Sequence, residues 1–181
     1  MTRRKLMIAA AVSSAVVGLA AVVGLAGHFG VPRNDDDDDE GPALIKEFRA
    51  TKVSLQQGLT ASEQEGQPIA GKFEVDNGKF QLSVYTAKDG KFSEVLVDYV
   101  SGKVAKVEPI TSADDLRAAQ SQSVAMANAK VSLKDAVERA IGEAAGVRAV
   151  GVIPNLKEGR PVASVLLLKG EEIKIVQQPL D

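Results

Sequence analysis

Few side chains in this sequence can do acid–base, nucleophilic or metal chemistry. The chain of 181 residues contains no cysteine, and its single histidine is His28, close to the N-terminus. A Ser–His triad, a histidine-ligated metal and imidazole acid–base catalysis are therefore excluded from the chain that follows His28. Thiolate metal sites, cysteine nucleophiles and disulfides are excluded throughout.

Carboxylates are the remaining candidates for catalysis, and two adjacent pairs stand out, Asp114-Asp115 and Glu171-Glu172. Neighbouring residues point to opposite faces of a strand, or about 100° apart around a helix, so neither pair converges on a substrate. The sequence therefore predicts no catalytic residue, no metal ligand and no cofactor-binding residue, and we expect that the protein is not an enzyme.

Two polar residues remain as possible contacts for a partner, Asp98 and Tyr85. Asp98 stands three residues before Ser101-Gly102, the spacing at which a carboxylate accepts backbone amides of a turn. That spacing favours a cap over a partner contact. In the alternating pattern of its segment, Tyr85 lies on the face opposite the apolar residues, which predicts a side chain at the surface.

The elements that must position these residues begin with a β-meander over residues 71–103. Asn77-Gly78 and Asp89-Gly90 suit two-residue hairpin turns, since glycine takes a positive φ without steric cost. Counting outward from both turns gives one register in which the apolar residues share a single face. That face contains Phe73, Val75, Phe80, Leu82, Val84, Val95, Val97 and Tyr99. In the fourth segment, 103–110, Lys106 breaks the alternation, which predicts a bulge or an edge strand.

The motif KVSL occurs twice, at 52–55 and at 130–133. Ser54 and Gln57 form a capping box, which predicts a helix from Leu55. Apolar residues at helical spacing predict a second helix after Ser132, and strands follow at 147–156, 161–168 and 171–177. The sequence therefore predicts an internal duplication of a helix-plus-meander unit, with a second copy that stops where a fourth strand would begin.

The N-terminal segment, residues 1–30, is typical of export. Basic residues precede an apolar run over 6–26, which fits a cleaved signal peptide or a retained anchor of roughly 20 residues. The length of the run favours the anchor, with the following chain on the periplasmic side of a bacterial inner membrane; secretion or release into the periplasm after cleavage is the alternative.

An acidic linker follows over residues 31–42 and contains the run NDDDDDE. The run lacks the ligand spacing and turn glycine of a calcium loop, so a solvated spacer is the favoured interpretation. From Gly41 onwards acidic and basic residues are equal in number, and nucleic-acid binding is not expected. The predicted domains are then 43–110 for unit one, 111–129 for a connecting helix and 130–181 for a degenerate unit two.

The order KVSL, helix, KFQLSVYTAKDGKFSEVLVDYVSGKV resembles the PepSY domain family, with Asp89-Gly90 as the family's hairpin turn and Asp98 to Lys103 as its Asp-x-x-Ser-Gly-Lys tail. The resemblance covers residues 53–107, and extends weakly over 131–177, where Gln178 stands in place of Asp98. It implies a non-catalytic domain that binds peptides or partner proteins, or that regulates peptidases. No HExxH motif follows, so inhibition within the same chain is excluded and inhibition in trans stays open.

Together these patterns predict an α+β fold of tandem PepSY-like helix-plus-antiparallel-meander units behind an N-terminal transmembrane or signal helix. We expect an envelope protein that binds a peptide or protein partner and attaches to the membrane through its N-terminal helix. A structural spacer without a specific ligand and a carboxylate-dependent hydrolase are the alternatives.

Overall fold

Seven antiparallel strands form one sheet in the computed structural model, which describes residues 40–76 and 78–181. Four helices accompany the sheet: α1 (Glu40–Arg49), α2 (Leu55–Ser62), α3 (Ala113–Ala127) and α4 (Leu133–Ile141). The strands are β1 (Gln67–Asp76), β2 (Lys79–Lys88), β3 (Lys91–Val97), β4 (Val104–Pro109), β5 (Val147–Lys157), β6 (Arg160–Lys169) and β7 (Glu172–Pro179).

The strand order is β4-β3-β2-β1-β5-β6-β7, and this order corrects the predicted fold class. Two separate tandem units, each with its own sheet, were expected; instead β1 and β5 pair and join all strands into one sheet. Each is the open edge of its local meander, and unpaired N–H and C=O groups at such edges favour pairing. The predicted N-terminal helix, residues 1–30, and positions 31–39 of the acidic linker lie outside the described residues.

The register predicted for the first meander is confirmed. Val75 pairs with Phe80 across the first turn, and Val84 pairs with Val95 across the second. The rings of Phe80 and Tyr99 meet edge to face with centroids 5.0 Å apart. The predicted irregularity of the fourth strand is confirmed too, because the pairing of β3 with β4 shifts register beside Val97. One apolar face of the sheet is therefore specified by two local turns.

The helices α2 and α4 cover this first face. The Ser54 hydroxyl accepts the Gln57 amide while the Gln57 side chain accepts the Ser54 amide, so the predicted capping box is present. Ser132 caps α4 through the Asp135 amide. Leu55 and Leu59 of α2 pack over Gly71, and α2 also contacts α4. Two short capped helices thus bury the centre of the first face.

The two halves of the sheet repeat each other with an offset of 81 residue numbers. The trio Gly71, Val84 and Val95 recurs as Val152, Val165 and Val176, with the same cross-strand pairing. Both first strands carry a register shift at equivalent positions, before Ala70 in β1 and before Gly151 in β5.

Hydrogen bonds at the start of α2 and α4 repeat as well. The amides of Lys52 and Val53 donate to the Tyr99 carbonyl, and those of Lys130 and Val131 donate to the Leu180 carbonyl. With the same offset of 81, the counterpart of Asp98 is Pro179, one position beyond the Gln178 that the sequence resemblance placed there. The halves are therefore related by an approximate two-fold axis at the β1–β5 pairing, as two subunits of a symmetric dimer would be.

The second face of the sheet is buried across its centre. Ala70, Ser83 and Tyr85 belong to the alternate set of side chains and are each at most 1% exposed. Helix α3 contacts β1, β2, β5 and β6, while α2 and α4 occupy the first face. We therefore assign the cover of the second face to α3, whose six buried residues include three alanines that permit close approach.

Candidate functional site

Asp98 forms the turn cap that its spacing predicts. Its Oδ1 accepts the backbone amides of Ser101 at 2.6 Å and Val100 at 3.3 Å. Hydrogen bonding from Ser101, followed by that from the Val100 amide, lowers the pKa of the exposed Asp98 carboxyl below its usual value. The carboxylate therefore organises the chain between β3 and β4.

Tyr85 lies elsewhere than predicted. Its side chain was expected at the surface, but it is 1% exposed, because the second face of the sheet is covered as well as the first. The Tyr85 hydroxyl donates to Glu74 Oε1 at 3.3 Å. Burial, with the negative charges of Glu74 and Glu94 as further causes, raises the pKa of the Tyr85 phenol well above its usual value. The ring is therefore part of the interior and does not form an exposed contact.

A polar cluster surrounds Tyr85 on the second face of β1, β2 and β3. Gln81 Nε2 donates to Ser83 Oγ at 2.9 Å and reaches both Glu74 Oε1, at 3.4 Å, and Glu94 Oε1, at 3.5 Å. Ser83 donates to Glu94 Oε1 at 2.9 Å. Lys72 Nζ lies 2.5 Å from Glu74 Oε2 and 6.0 Å from the centre of the Tyr85 ring. Two carboxylates thus converge on one amide group.

The sequence reasoning missed this convergence, since it considered only adjacent acidic pairs. The register would have revealed it, because Glu74 and Glu94 fall on the same face of neighbouring strands. Their oxygens accept from the buried donors Tyr85 and Ser83, whose desolvation would otherwise be costly. The arrangement therefore serves to satisfy buried polar groups. The sequence-predicted Asp114-Asp115 and Glu171-Glu172 pairs take no part in it.

The two edges of the sheet differ. β4 carries alternating charges at Lys106 and Glu108, ends in Pro109 and pairs irregularly with β3, which are features that protect an edge. β7 pairs with β6 over its whole length without a register shift, and its Ile175 side chain is 38% exposed. By the internal repeat β7 is the counterpart of β3, whose outer edge β4 covers.

A partly buried cationic site lies where α1 leads into α2. The guanidinium of Arg148, from β5, donates to the carbonyls of Phe48 at 3.2 Å, Val53 at 3.4 Å and Thr51 at 3.5 Å. It also donates to Thr51 Oγ1 at 2.5 Å and stacks 4.3 Å from the centre of the Phe48 ring. Burial lowers the pKa of Arg148. The residues before α2 thus form a guanidinium-binding loop.

A cavity of about 240 Å³ lies at the corresponding place before α4. Its walls include Gln67 from β1, Met126 and Ala129 from the end of α3, and Val131 and Lys130 before α4. Glu63, beyond the end of α2, completes one side. The relation of this cavity to the Arg148 site follows from the repeat and was not foreseen from the sequence, although the two KVSL motifs supply the alignment that would have shown it.

No group of three or more histidine, cysteine, aspartate or glutamate side chains within residues 40–76 and 78–181 is arranged to hold a metal ion. None of the four described helices is long and apolar enough to cross a membrane. Comparison with protein-family models, curated proteins and solved structures finds no match. The PepSY resemblance therefore remains a prediction from the residues that carry it.

Proposed function

We propose that the protein is a non-catalytic binding module of the cell envelope that takes an extended segment of a peptide or partner protein along the β7 edge of its sheet. The observation that supports this most directly is the regular outer edge of β7, next to which no further strand lies within residues 40–76 and 78–181. An extended segment can add to such an edge through main-chain hydrogen bonds, with side-chain positions setting specificity.

The repeat indicates how the added strand would lie. Val95 of β3 pairs with Val107 of β4, and Val176 of β7 is the counterpart of Val95. A bound segment would therefore place an apolar residue beside Val176 on the first face of the sheet. Its next residue would lie beside the exposed Ile175 on the second face. A partner segment with neighbouring apolar residues fits this edge.

The envelope setting and the class of partner rest on the sequence. The basic and apolar N-terminal segment supports export, and the PepSY resemblance of residues 53–107 supports peptidases among the candidate partners. Regulation of such a peptidase would act in trans.

Two matched edge variants test the proposal. Ile175→Lys places a charge on the β7 edge, and Val107→Lys places the same charge on β4, where the native side chain is 41% exposed. The full chain is used to capture partners from envelope extract, with quantification of each captured protein. We expect Ile175→Lys to remove the specific partner and Val107→Lys to retain it. Capture that is unaffected by Ile175→Lys would contradict strand addition at β7, and the absence of any specific capture would favour the spacer.

A further inference from the structure

We infer that the cavity before α4 is a binding site for a guanidinium group, and that its occupant is an arginine side chain of a protein or peptide partner. The inference goes beyond strand addition at β7, because it concerns a different surface and different chemistry. It depends on the comparison of two equivalent places in the same molecule.

The first step is the equivalence of the two places. Arg148 pairs with Leu168 in the second half, and Gln67 pairs with Ala87 in the first, so the offset of 81 relates Gln67 to Arg148. The loops before the two helices match equally well, since both lead into their helix through KVSL and both donate two amides to one carbonyl. The cavity is thus the counterpart of the Arg148 site.

The second step concerns the acceptors. Arg148 is held by the carbonyls of residues 48, 51 and 53. The two KVSL motifs, at 52–55 and 130–133, are 78 residues apart, and this helix offset makes Met126, Ala129 and Val131 the counterparts of those three residues. All three residues line the cavity. The turns also match, because the Thr51 amide donates to the Phe48 carbonyl as the Ala129 amide donates to the Met126 carbonyl. The two terminal nitrogens of the Arg148 guanidinium share these carbonyls, a division that a planar fork of N–H donors provides and that the single nitrogen of an ammonium group does not.

The third step is the difference between the two places. Gln67 is an exposed side chain and is shorter than arginine, and the place that corresponds to the Arg148 guanidinium contains a cavity of about 240 Å³, which is large enough for a guanidinium group. Met126 replaces the Phe48 ring and Ala129 replaces the Thr51 hydroxyl, which removes one stacking surface and one acceptor. Binding of a single guanidinium group should therefore be weak and should gain strength from the rest of a bound segment.

The charged residues around the cavity partly repeat those of the Arg148 site. Lys130 at its rim repeats Lys52 of the Arg148 site, so one neighbouring lysine is compatible with a bound guanidinium. Lys134 lines the cavity with a positive charge, and its counterpart near the Arg148 site is the neutral Gln56. Glu63 lines the cavity with a negative charge, and its counterpart at the end of α4 is the apolar Ile141. The two differences oppose each other, and Glu63 supplies a carboxylate that the Arg148 site lacks.

The test is a titration of the full-length, ¹⁵N-labelled chain with ethylguanidinium chloride and then with the peptide acetyl-Gly-Arg-Gly-amide. Ethylammonium chloride at equal ionic strength controls for charge alone. We expect saturable amide shifts at Gln67, Ala129 and Val131 with both guanidinium probes, and tighter binding of the peptide. Equal shifts with ethylammonium, or no saturable shift at these amides, would overturn the inference. Shifts with ethylguanidinium but none with the peptide would restrict the site to small free guanidinium compounds. That result would overturn the assignment of an arginine side chain as the occupant.

Two variants complete the test. Gln67→Arg should place its own guanidinium group in the cavity, raise the Tm and remove the shifts caused by the probes. Gln64→Arg adds the same charge at a nearby exposed position and should leave those shifts unchanged. Glu63→Gln should weaken binding severalfold. If Gln67→Arg binds ethylguanidinium as the native chain does, the inference is wrong. None of these variants touches β7, so the result is independent of the proposed strand addition.

Discussion

Gly71 of β1 and Val152 of β5 lie opposite each other at the centre of the sheet, and they occupy the same position in the two halves of the repeat. A cross-strand pair between equivalent residues is what an approximate two-fold axis requires. The pairing explains why the chain forms one sheet although its two meanders are each built from local hairpins.

Gly58 leaves space in α2 for the side chain of Leu82 from β2. A Cβ atom at this position would lie 2.6 Å from Leu82 Cδ2, and Leu82 is fully buried. We expect Gly58→Ala to lower the free energy of unfolding by about 1–2 kcal/mol, since overpacking outweighs the gain in helix propensity. Urea denaturation measures the loss. Thr60→Ala, at an exposed position of the same helix, is the control, and a more stable Gly58→Ala variant would contradict the packing argument.

The caps of α2 and α4 make equivalent contributions. Ser54→Ala and Ser132→Ala should each lower the free energy of unfolding by about 1 kcal/mol, because each leaves helix amides without their acceptor. Chemical denaturation of the single variants checks this. Ser121→Ala, exposed within α3, removes a hydroxyl without removing a cap and should be neutral or slightly stabilising. Equal effects at all three serines would show that the caps contribute nothing specific.

Asp98 makes the stability dependent on pH in the acid range. Its pKa is lowered in the folded protein, so its contribution is present above the unfolded pKa of about 3.9 and is lost as the pH falls through the folded value. Asp98→Asn keeps an oxygen acceptor but removes the charge. We expect the variant to be less stable than the native chain at neutral pH and to approach it in strong acid. Unfolding curves across the pH range measure the difference, and a constant gap between the two proteins would disprove the assignment.

Tyr85 should resist ionisation while the protein is folded. Its pKa is raised, so the folded state keeps the proton above pH ~10, where the unfolded chain loses it. The related stability is complete below that pH and declines as the pH rises further. The chain has two tyrosines, so Tyr99→Phe leaves Tyr85 as the only source of tyrosinate absorbance. Absorbance that rises only together with unfolding is expected; a rise near pH ~10 in the still folded variant would show that the phenol is accessible.

Local chemistry made the first meander predictable. Two turns with glycine fix how β1, β2 and β3 align, and only one alignment places Phe73, Leu82 and Val84 on the same face. The capping box of Ser54 and the turn cap of Asp98 are predictable for the same reason, because donor and acceptor lie within three residues of each other. Structural features that depend on residues close in sequence can be predicted from the spacing of those residues.

The remaining features depend on contacts between distant residues. The pairing of Gly71 with Val152 joins the open edges of the two meanders. The sequence of one meander does not indicate that the other meander is its partner. In α3 the larger apolar residue Val124 is 52% exposed, while Ala118 and Ala125 are buried. Alanines on several sides of a helix give a weak period, so the packing surface decides which of them are buried. Tyr85 is buried because α3 covers the second face of the sheet, and the sequence pattern does not predict that α3 packs there.

The cluster around Tyr85 and the cavity before α4 are predictable in part. Alternation along β1, β2 and β3 places Glu74, Gln81 and Glu94 on one face, but which oxygen accepts from which donor depends on the folded side chains. The duplicated KVSL motif relates the two loops, but the equivalence of Gln67 and Arg148 needs the register of both halves.

The short β1–β5 pairing also bears on how the chain reaches its folded state. Each half contains two hairpins with two-residue turns, and β3 and β4 are joined by the six residues 98–103, so the contacts of each meander form between segments close in sequence and at low entropic cost. The central pair, by contrast, joins residues separated by an intervening meander and two helices. We expect the hairpins of each half to form before the halves meet, and the rate of folding to be governed by that late encounter.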